Sequence, residues 1–524
     1  MEKKPETTLP DYIRALLEPG AYAGRPEKIE LLQTHISYIL LTPEFAYKIK
    51  KPVDFAFLDF TTLEKRKRFC TEEVRLNRRL APEVYMGVVG IAESHGRVLM
   101  EGEGEPVEYA VKMRRLPGET ILEEMLKRDK VTADIIEKVA LRIASFHRDA
   151  ERSDYISGFG SPEVIRKNTD ENFSQTKGFI GSTITPGVYE GIRSYTEGFL
   201  EANEALFKRR AKEGFIRDCH GDIHCEHISV SDSINIFDCI EFNERFRFSD
   251  VVADISFLSM DLDFHNRADL AGTLDRSYFS ASGDAEGPRL LDFYKCYRAY
   301  VRGKVEGFKF REREVSAGEK TEAFINSLLH FHLAGQYSSG GIKPRLIIMR
   351  GLSGTGKSAL AGALSKHTWA VVLSSDLVRK ELAGIPPTEH RFEPFGKGIY
   401  SKEFTERTYN ELIRRGVEYL EAGRTCILDA TFSKERFVRE AVKKARSAGV
   451  GEGNIHMIEC TAPEGLVKKR FRERLAEGTP SDMKWGIYQR QKESFEKTAM
   501  RGMAIDESRI LKENVLGVIK KIFT

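Results

Sequence analysis

Apolar and polar positions follow a regular rhythm in the last third of the chain. Short apolar runs at 345–349, 371–374, 425–428 and 455–460 predict strands, and amphipathic runs at 358–365, 404–422 and 434–448 predict helices between them. Strands separated by helices cannot pair as hairpins, so they build a parallel sheet with helices on both faces. A charged helical stretch with aromatics at helical spacing, 292–333, comes before, and a Gly- and Ser-rich stretch, 334–341, reads as a linker. The pattern therefore predicts a boundary near residue 340, with domains of roughly 1–335 and 343–524.

Composition adds limits. A chain of 524 residues is too long for one core, and 41% hydrophobic with 31% charged residues is ordinary for a globular protein. Basic residues exceed acidic ones by only three, so no global field draws the chain to nucleic acid or to a membrane. No apolar run at the amino terminus suits a signal peptide, and none reaches membrane-spanning length. The seven cysteines are scattered without a CxxC pair, as expected of reduced thiols in a cytoplasmic enzyme.

The most specific chemistry lies at 351–358. Gly351, Gly354, Thr355, Gly356, Lys357 and Ser358 fit GxxxxGK[ST], between a predicted strand and a predicted helix. Such a loop turns backbone N–H groups onto phosphate oxygens, with the positive end of the helix behind them. Lys357 would reach the outer phosphates of ATP or GTP, and the Ser358 hydroxyl would ligate Mg²⁺. Asp376 ends the second strand and Arg379 follows one turn on. Here Asp376 could take the proton of an acceptor hydroxyl and Arg379 could bind a phosphate or the acceptor, the other reading being a helix-capping aspartate with a solvated arginine. Asp429 ends the third strand and suits a role beside Mg²⁺. Arg470 and Arg474 share a helix face that could close over a triphosphate.

Together these segments, from about 343 to 500, resemble the small P-loop kinases that include gluconate kinase, chloramphenicol phosphotransferase, zeta-toxin kinases and polynucleotide 5′-hydroxyl kinases. The resemblance implies phosphoryl transfer rather than a mechanical ATPase cycle. The segment 477–483 lacks further arginines often present in the lid of such kinases.

A second cluster runs from Asp218 to His227. Cys219, His220, His224, Cys225 and His227 suggest zinc at first sight, but adjacent His224 and Cys225 converge poorly on one tetrahedral ion. A loop aspartate, Asp222, followed by a strand-end aspartate, Asp238, is the pair that phosphoryl transfer needs. Residues 30–310 resemble the aminoglycoside phosphotransferase-like, or protein-kinase-like, family. That resemblance implies Asp222 as catalytic base, Asp238 as metal ligand and Asp254 as a brace for the catalytic loop. It also implies Lys48 as the lysine on the α- and β-phosphates, paired with Glu73. Lys50 is a rival, because alternation puts it on the same strand face as Lys48. The family's metal-binding Asn is here His227, a softer ligand than Mg²⁺ prefers, leaving Asp238 and Glu241 to hold the metal or Mn²⁺ to replace it.

The expected fold is thus an α+β protein-kinase-like domain followed by an α/β P-loop domain. The whole resembles bifunctional aminoglycoside phosphotransferase/ATP-binding proteins. The expected function is ATP- and Mg²⁺-dependent phosphorylation of a small hydroxyl acceptor. A basic, aromatic helix face with Tyr294, Tyr297, Arg298 and Arg302 suggests an anionic or sugar-like one. Two other readings stay open: a non-catalytic amino-terminal sensor of the P-loop kinase, and a kinase of nucleic-acid 5′ ends.

Overall fold

The computed structural model describes residues 9–55, 58–94, 96–312, 315–386, 389, 397–476 and 485–524. By internal contacts the chain forms two units. One comprises Met1–Lys167, Leu200–Leu258 and Thr273–Leu291; the other comprises Asn168–Phe199, Ser259–Gly272 and Asp292–Thr524.

The first unit is built on an antiparallel sheet of six strands. In spatial order they are Glu30–Gln33, Ser37–Leu41, Phe45–Lys50, Pro106–Arg114, Tyr85–Ser94 and Arg97–Met100. Alternation along Phe45–Lys50 decides what each face carries. Tyr47 and Ile49 join an apolar core with Leu16, Leu40, Ile91 and Ala110. Lys48 and Lys50 point the other way, toward helix Leu63–Asn77, whose Cys70 and Val74 pack on Val111 and Tyr85. Beyond the sheet, strand Ile216–Asp218 pairs with Phe248–Asp250, and Ile228–Val230 pairs with Ile234–Ile236. Two short ladders so close together fix the loops between them, which carry Asp222 and Asp238.

The second unit contains a five-stranded, wholly parallel sheet in the order Val371–Ser374, Cys426–Asp429, Leu346–Arg350, Ile455–Thr461 and Met503–Asp506. The central strand, Leu346–Arg350, is buried at every position, as a strand covered on both faces must be. The sheet agrees with the predicted strands to within a residue. The last strand and helix Leu511–Ile522 were not anticipated. The helical stretch 292–333 is two helices, Leu291–Arg311 and Ala317–Ser338. The second starts at a capping box, in which Ser316 accepts from the Glu319 amide and Glu319 reaches back. The segment 334–341 is not wholly a linker. The helix continues through Ser338 and buries Ala334 and Tyr337.

Asn266, in the same unit, holds the start of the sheet. Its amide oxygen accepts from the Thr425 N–H at 2.6 Å, and its amide nitrogen donates to the Trp369 and Thr425 carbonyls at 3.0 Å each. Among the described residues no helix is long and apolar enough to cross a membrane.

Candidate active sites

In the parallel-sheet unit the glycine loop joins the central strand to helix Lys357–Thr368. Gly351, Gly354 and Gly356 have φ of 142°, 80° and 99°, left-handed values that L side chains avoid. A Cβ on Gly351 would stand 2.4 Å from the Cys460 carbonyl, and one on Gly356 would stand 2.5 Å from Glu507 Oε2. Backbone thus blocks any side chain at Gly351, while at Gly356 the Glu507 side chain would have to shift and the dihedral angle favours glycine. Thr355 donates to the Leu352 carbonyl at 2.7 Å, and Lys357 Nζ donates to the same oxygen at 2.8 Å. Arg470 fastens the loop from outside, donating to Gly354 O at 3.2 Å and to Glu507 O at 3.0 Å.

Asp429 lies at the end of its strand, buried, and hydrogen-bonds the Ser358 hydroxyl. Burial raises its carboxyl above the ordinary range, while Ser358 and Lys357 draw it back and the charge of Asp376 raises it again. Asp376 itself is exposed on helix Ser375–Leu382. Ser358, Asp429 and Asp376 thus form one oxygen-rich corner beside the loop, a donor set that suits hard Mg²⁺. Arg379 points elsewhere. It is buried, donates to the Ile399 carbonyl at 2.7 Å and stacks over Tyr400. The side chain of Arg474 and the segment 477–483 lie outside the described residues.

Gly356→Ala combines strain in the left-handed region with a clash against a buried carboxylate. It should cost about 1–3 kcal/mol of stability and weaken binding of a fluorescent ATP analogue roughly tenfold or more. Equilibrium titration of the full chain checks this.

In the antiparallel-sheet unit the lysine question resolves into a network. Lys48 Nζ lies 2.5 Å from Asp238 Oδ1 and 2.9 Å from Glu73 Oε1. Lys50 Nζ lies 2.7 Å from Glu73 Oε2 and also pairs with Glu241. Glu73, fully buried, therefore holds both lysines, but only Lys48 meets Asp238. Burial disfavours a charged lysine, yet Asp238 and Glu73 outweigh it, and Lys48 stays well above its ordinary pKa. Burial likewise opposes the Asp238 charge, and Lys48 and His227 overcome it to hold the carboxyl low.

Asp238 adopts φ 65°, uncommon for a residue other than glycine, and its N–H donates to the Tyr85 hydroxyl at 3.1 Å. The next N–H, of Cys239, donates to Asn77 Oδ1 at 2.9 Å, and Asn77 Nδ2 donates to the Glu73 carbonyl at 2.9 Å. One asparagine thus ties the helix of Glu73 to the loop of Asp238. Sequence patterning did not single it out.

His227 stands between the two aspartates. Its Nδ1 is 3.0 Å from the Asp222 backbone carbonyl and 3.5 Å from Asp222 Oδ2, and its Nε2 is 3.5 Å from Asp238 Oδ2. Asp254 braces the same loop. It accepts from the N–H groups of His220 at 2.9 Å and Gly221 at 2.8 Å, while His147 Nε2 lies 3.1 Å away. Asp222, Asp238, Lys48 and Glu73 are therefore gathered in one place, as expected of a phosphotransfer site. The imidazole of His227 suits Mg²⁺ less well than an amide oxygen would, whereas the carboxylates of Asp222 and Asp238 suit it.

The helix face proposed for an acceptor is largely covered. Tyr294 and Arg298 are buried, and Tyr297 lines a crevice of about 10 Å³ with Asn172, Phe173 and Tyr300. That volume is about one water, so the crevice in this form admits no metabolite.

A family model described as an AAA domain matches residues 346–498. An uncharacterized protein of Mycobacterium tuberculosis strain H37Rv is 32% identical over 405 residues, covering 77% of this chain and 78% of its own. A Mycobacterium bovis protein matches to the same extent. Among solved structures, a choline/ethanolamine kinase family protein from Mesorhizobium loti covers 59% of this chain and 94% of its own, at 13% identity and TM-score 0.35. A putative kinase from Chloroflexus aurantiacus covers 34% and 98%, at 19% identity and TM-score 0.28. This chain belongs to the family of these mycobacterial proteins, and it carries a unit built on a six-stranded antiparallel sheet and, toward its carboxy terminus, a parallel-sheet region whose residues 346–498 match an AAA domain.

Proposed function

We propose that the chain is an ATP- and Mg²⁺-dependent phosphotransferase acting on hydroxyl groups of small-molecule acceptors. The segments 1–335 and 343–524 would each hold one transfer site. The observation that carries the reading is the glycine cradle of Gly351, Gly354 and Gly356, closed by Lys357 and flanked by Ser358 and Asp429. Its backbone N–H groups would bind phosphate oxygens, and at Gly351 the Cys460 carbonyl leaves no room for a Cβ. Bound Mg²⁺ would be held by the Ser358 hydroxyl with Asp429 behind it, and would neutralise charge on the outer phosphates. Asp376 would take the proton of the acceptor hydroxyl from its exposed place in the first turn of helix Ser375–Leu382. Arg379 keeps the neighbouring segment in place through Ile399 and Tyr400, and Arg474 would be the residue to close over the triphosphate.

In the amino-terminal site Asp222 is the base and Lys48 the phosphate-binding lysine, with Glu73 holding Lys48 in place. Two sites on one chain raise the local concentration of an intermediate that both could use.

Transfer of labelled γ-phosphate from ATP to a panel of polyols, sugars and sugar acids tests the reading. Asp222→Asn should remove one labelled product and Lys357→Met another. A panel that yields no labelled product with the wild-type chain sinks it. The second reading, a non-catalytic amino-terminal sensor, is favoured by one observation, the imidazole of His227 beside Asp238. It predicts that Asp222→Asn leaves every product unchanged.

A further inference from the structure

The amino ends of the parallel strands carry positive charge inside the fold. Alternation puts Ile347 of the central strand and Ile458 of its neighbour on one sheet face, where they pack with Leu328 of helix Ala317–Ser338 and Ile522 of helix Leu511–Ile522. Two places before Ile347 stands Arg345, and two places before Ile458 stands His456. The ladder still holds at Arg345, whose carbonyl accepts from the Cys426 N–H at 3.0 Å. Both side chains therefore turn into the edge of the same apolar layer. From Arg345 to Gly351 the extended chain covers about 20 Å, so this edge lies at the far end of the sheet from the glycine loop.

Arg345 is only 7% exposed. A guanidinium carries several N–H donors and no acceptor. One of them, on Nη2, meets His332 Nε2 at 2.6 Å, so that ring nitrogen accepts and the His332 proton sits on Nδ1. The guanidinium also lies over the Phe523 ring, 4.8 Å from its centroid. Its Nε–H is buried and meets no hydrogen-bond partner among the described residues. Burial, with no neighbouring carboxylate among those residues to offset it, draws Arg345 down to about 10. His456 Nε2, on the adjacent strand, is likewise buried and without a partner. Burial and then the charge of Arg345 hold that ring at about 4, neutral at pH 7. A buried cation is ordinarily paired, because an unpaired one is costly. His332 and His456 keep partial exposure, so solvent reaches the edge of the cluster.

We infer that Arg345, with His332 and His456 beside it, binds a small oxyanion of the phosphate class at the amino end of the parallel sheet. Nε–H and the terminal N–H groups present a planar, charged edge to oxyanion oxygens. A carboxylate has only its pair of oxygens for that edge, whereas a phosphate keeps a further one for His456 Nε2. The site is separate from the glycine cradle, so an anion held there binds alongside a nucleotide and not in its place.

The test is equilibrium dialysis of labelled inorganic phosphate against the full-length chain. Mg²⁺ and a non-hydrolysable ATP analogue are present at saturation throughout, so that nucleotide sites are filled. One equivalent of phosphate should bind, and Arg345→Met and His456→Leu should each weaken it roughly tenfold or more, with binding of the analogue unchanged. Thermal unfolding separates this role from a merely structural one. In phosphate-free buffer Arg345→Met should be as stable as the wild-type chain or more so, since it replaces an unpaired buried charge with an apolar side chain. Added phosphate should then raise the midpoint of the wild-type chain and not that of the variant. Should Arg345→Met not fold, judged by circular dichroism, Arg345→Lys carries the comparison, because it keeps the charge without the planar edge. Glycerol phosphate competing more strongly than phosphate identifies a phosphate ester as the ligand, and weaker competition identifies the free ion. Acetate that displaces phosphate at equal concentration, no equivalent bound once nucleotide sites are filled, or binding indifferent to both Arg345 and His456 overturns the proposal.

Discussion

Replacing Lys357 by methionine is expected to slow phosphate transfer at the P-loop site by on the order of 10²–10³-fold, about 3–4 kcal/mol of transition-state stabilisation. Methionine keeps most of the length and apolar volume of the lysine stem, which matters because Lys357 is buried. What it removes is the ammonium that caps the Leu352 carbonyl at 2.8 Å and lies close enough to Asp429 to lower its carboxyl. In the glycine cradle that ammonium has only to turn from a carbonyl oxygen to a phosphate oxygen, so the loop is arranged for an anion before one arrives. Isothermal titration with ATP, read beside the transfer rate, separates lost binding from lost catalysis. A rate within a few-fold of the wild-type chain would remove Lys357 from the site.

Much of this architecture is legible before any coordinates, and the reasons differ by element. The parallel strands are apolar at nearly every position because helices cover both faces, and such runs stand out against amphipathic neighbours. The break in the stretch 292–333 is legible too, as Ser316 followed by Glu319, but helical spacing on both sides masks it. Helix Leu511–Ile522 has apolar Val515, Val518, Ile519 and Ile522 at helical spacing, and its preceding strand is only four residues long. Composition misleads at 334–341, where Ser and Gly suggest exposure while Ala334 and Tyr337 are buried.

The sites divide in the same way. The glycine loop is readable because dihedral angle and space both demand glycine at fixed intervals. Lys48 and Lys50 cannot be told apart by alternation, since both face Glu73, and what separates them is Asp238, far away in sequence. Arg379 sits at a spacing that suits anion binding, and in this structure one terminal nitrogen donates to Ile399 O while the group stacks over Tyr400, a tertiary setting that spacing alone does not show. Asn77 carries no motif at all. Its importance lies in one bond to its own helix, at Glu73 O, and one from the distant Cys239 N–H, and the second is not encoded locally.

Removing the Asp254 carboxylate should be the most damaging single change in the antiparallel-sheet unit. Asp254 is fully buried and accepts from two consecutive N–H groups, His220 and Gly221, on the loop that carries Asp222. It also faces His147, whose other ring nitrogen meets the Tyr278 hydroxyl at 2.7 Å. Asp254→Ala strips partners from all of these at once, and breaking a buried charged network costs about 3–5 kcal/mol. The pH dependence gives a second reading of the same group. Burial alone would raise its carboxyl, but His147 and the loop amides outweigh burial and hold it at about 2, against an ordinary 3.8. A carboxyl held low in the folded state stabilises fully above about pH 4, and that contribution fades as pH falls toward 2. It amounts to on the order of 2 kcal/mol. Hydrogen exchange at the His220 and Gly221 amides should therefore accelerate through this window in the wild-type chain. In Asp254→Asn, exchange should be faster at neutral pH and should change little across the window. If the loop amides stay equally protected in both chains, Asp254 does not hold the loop of Asp222, and the brace must be sought in Arg79, which donates to the carbonyls of Asp218 and Cys219.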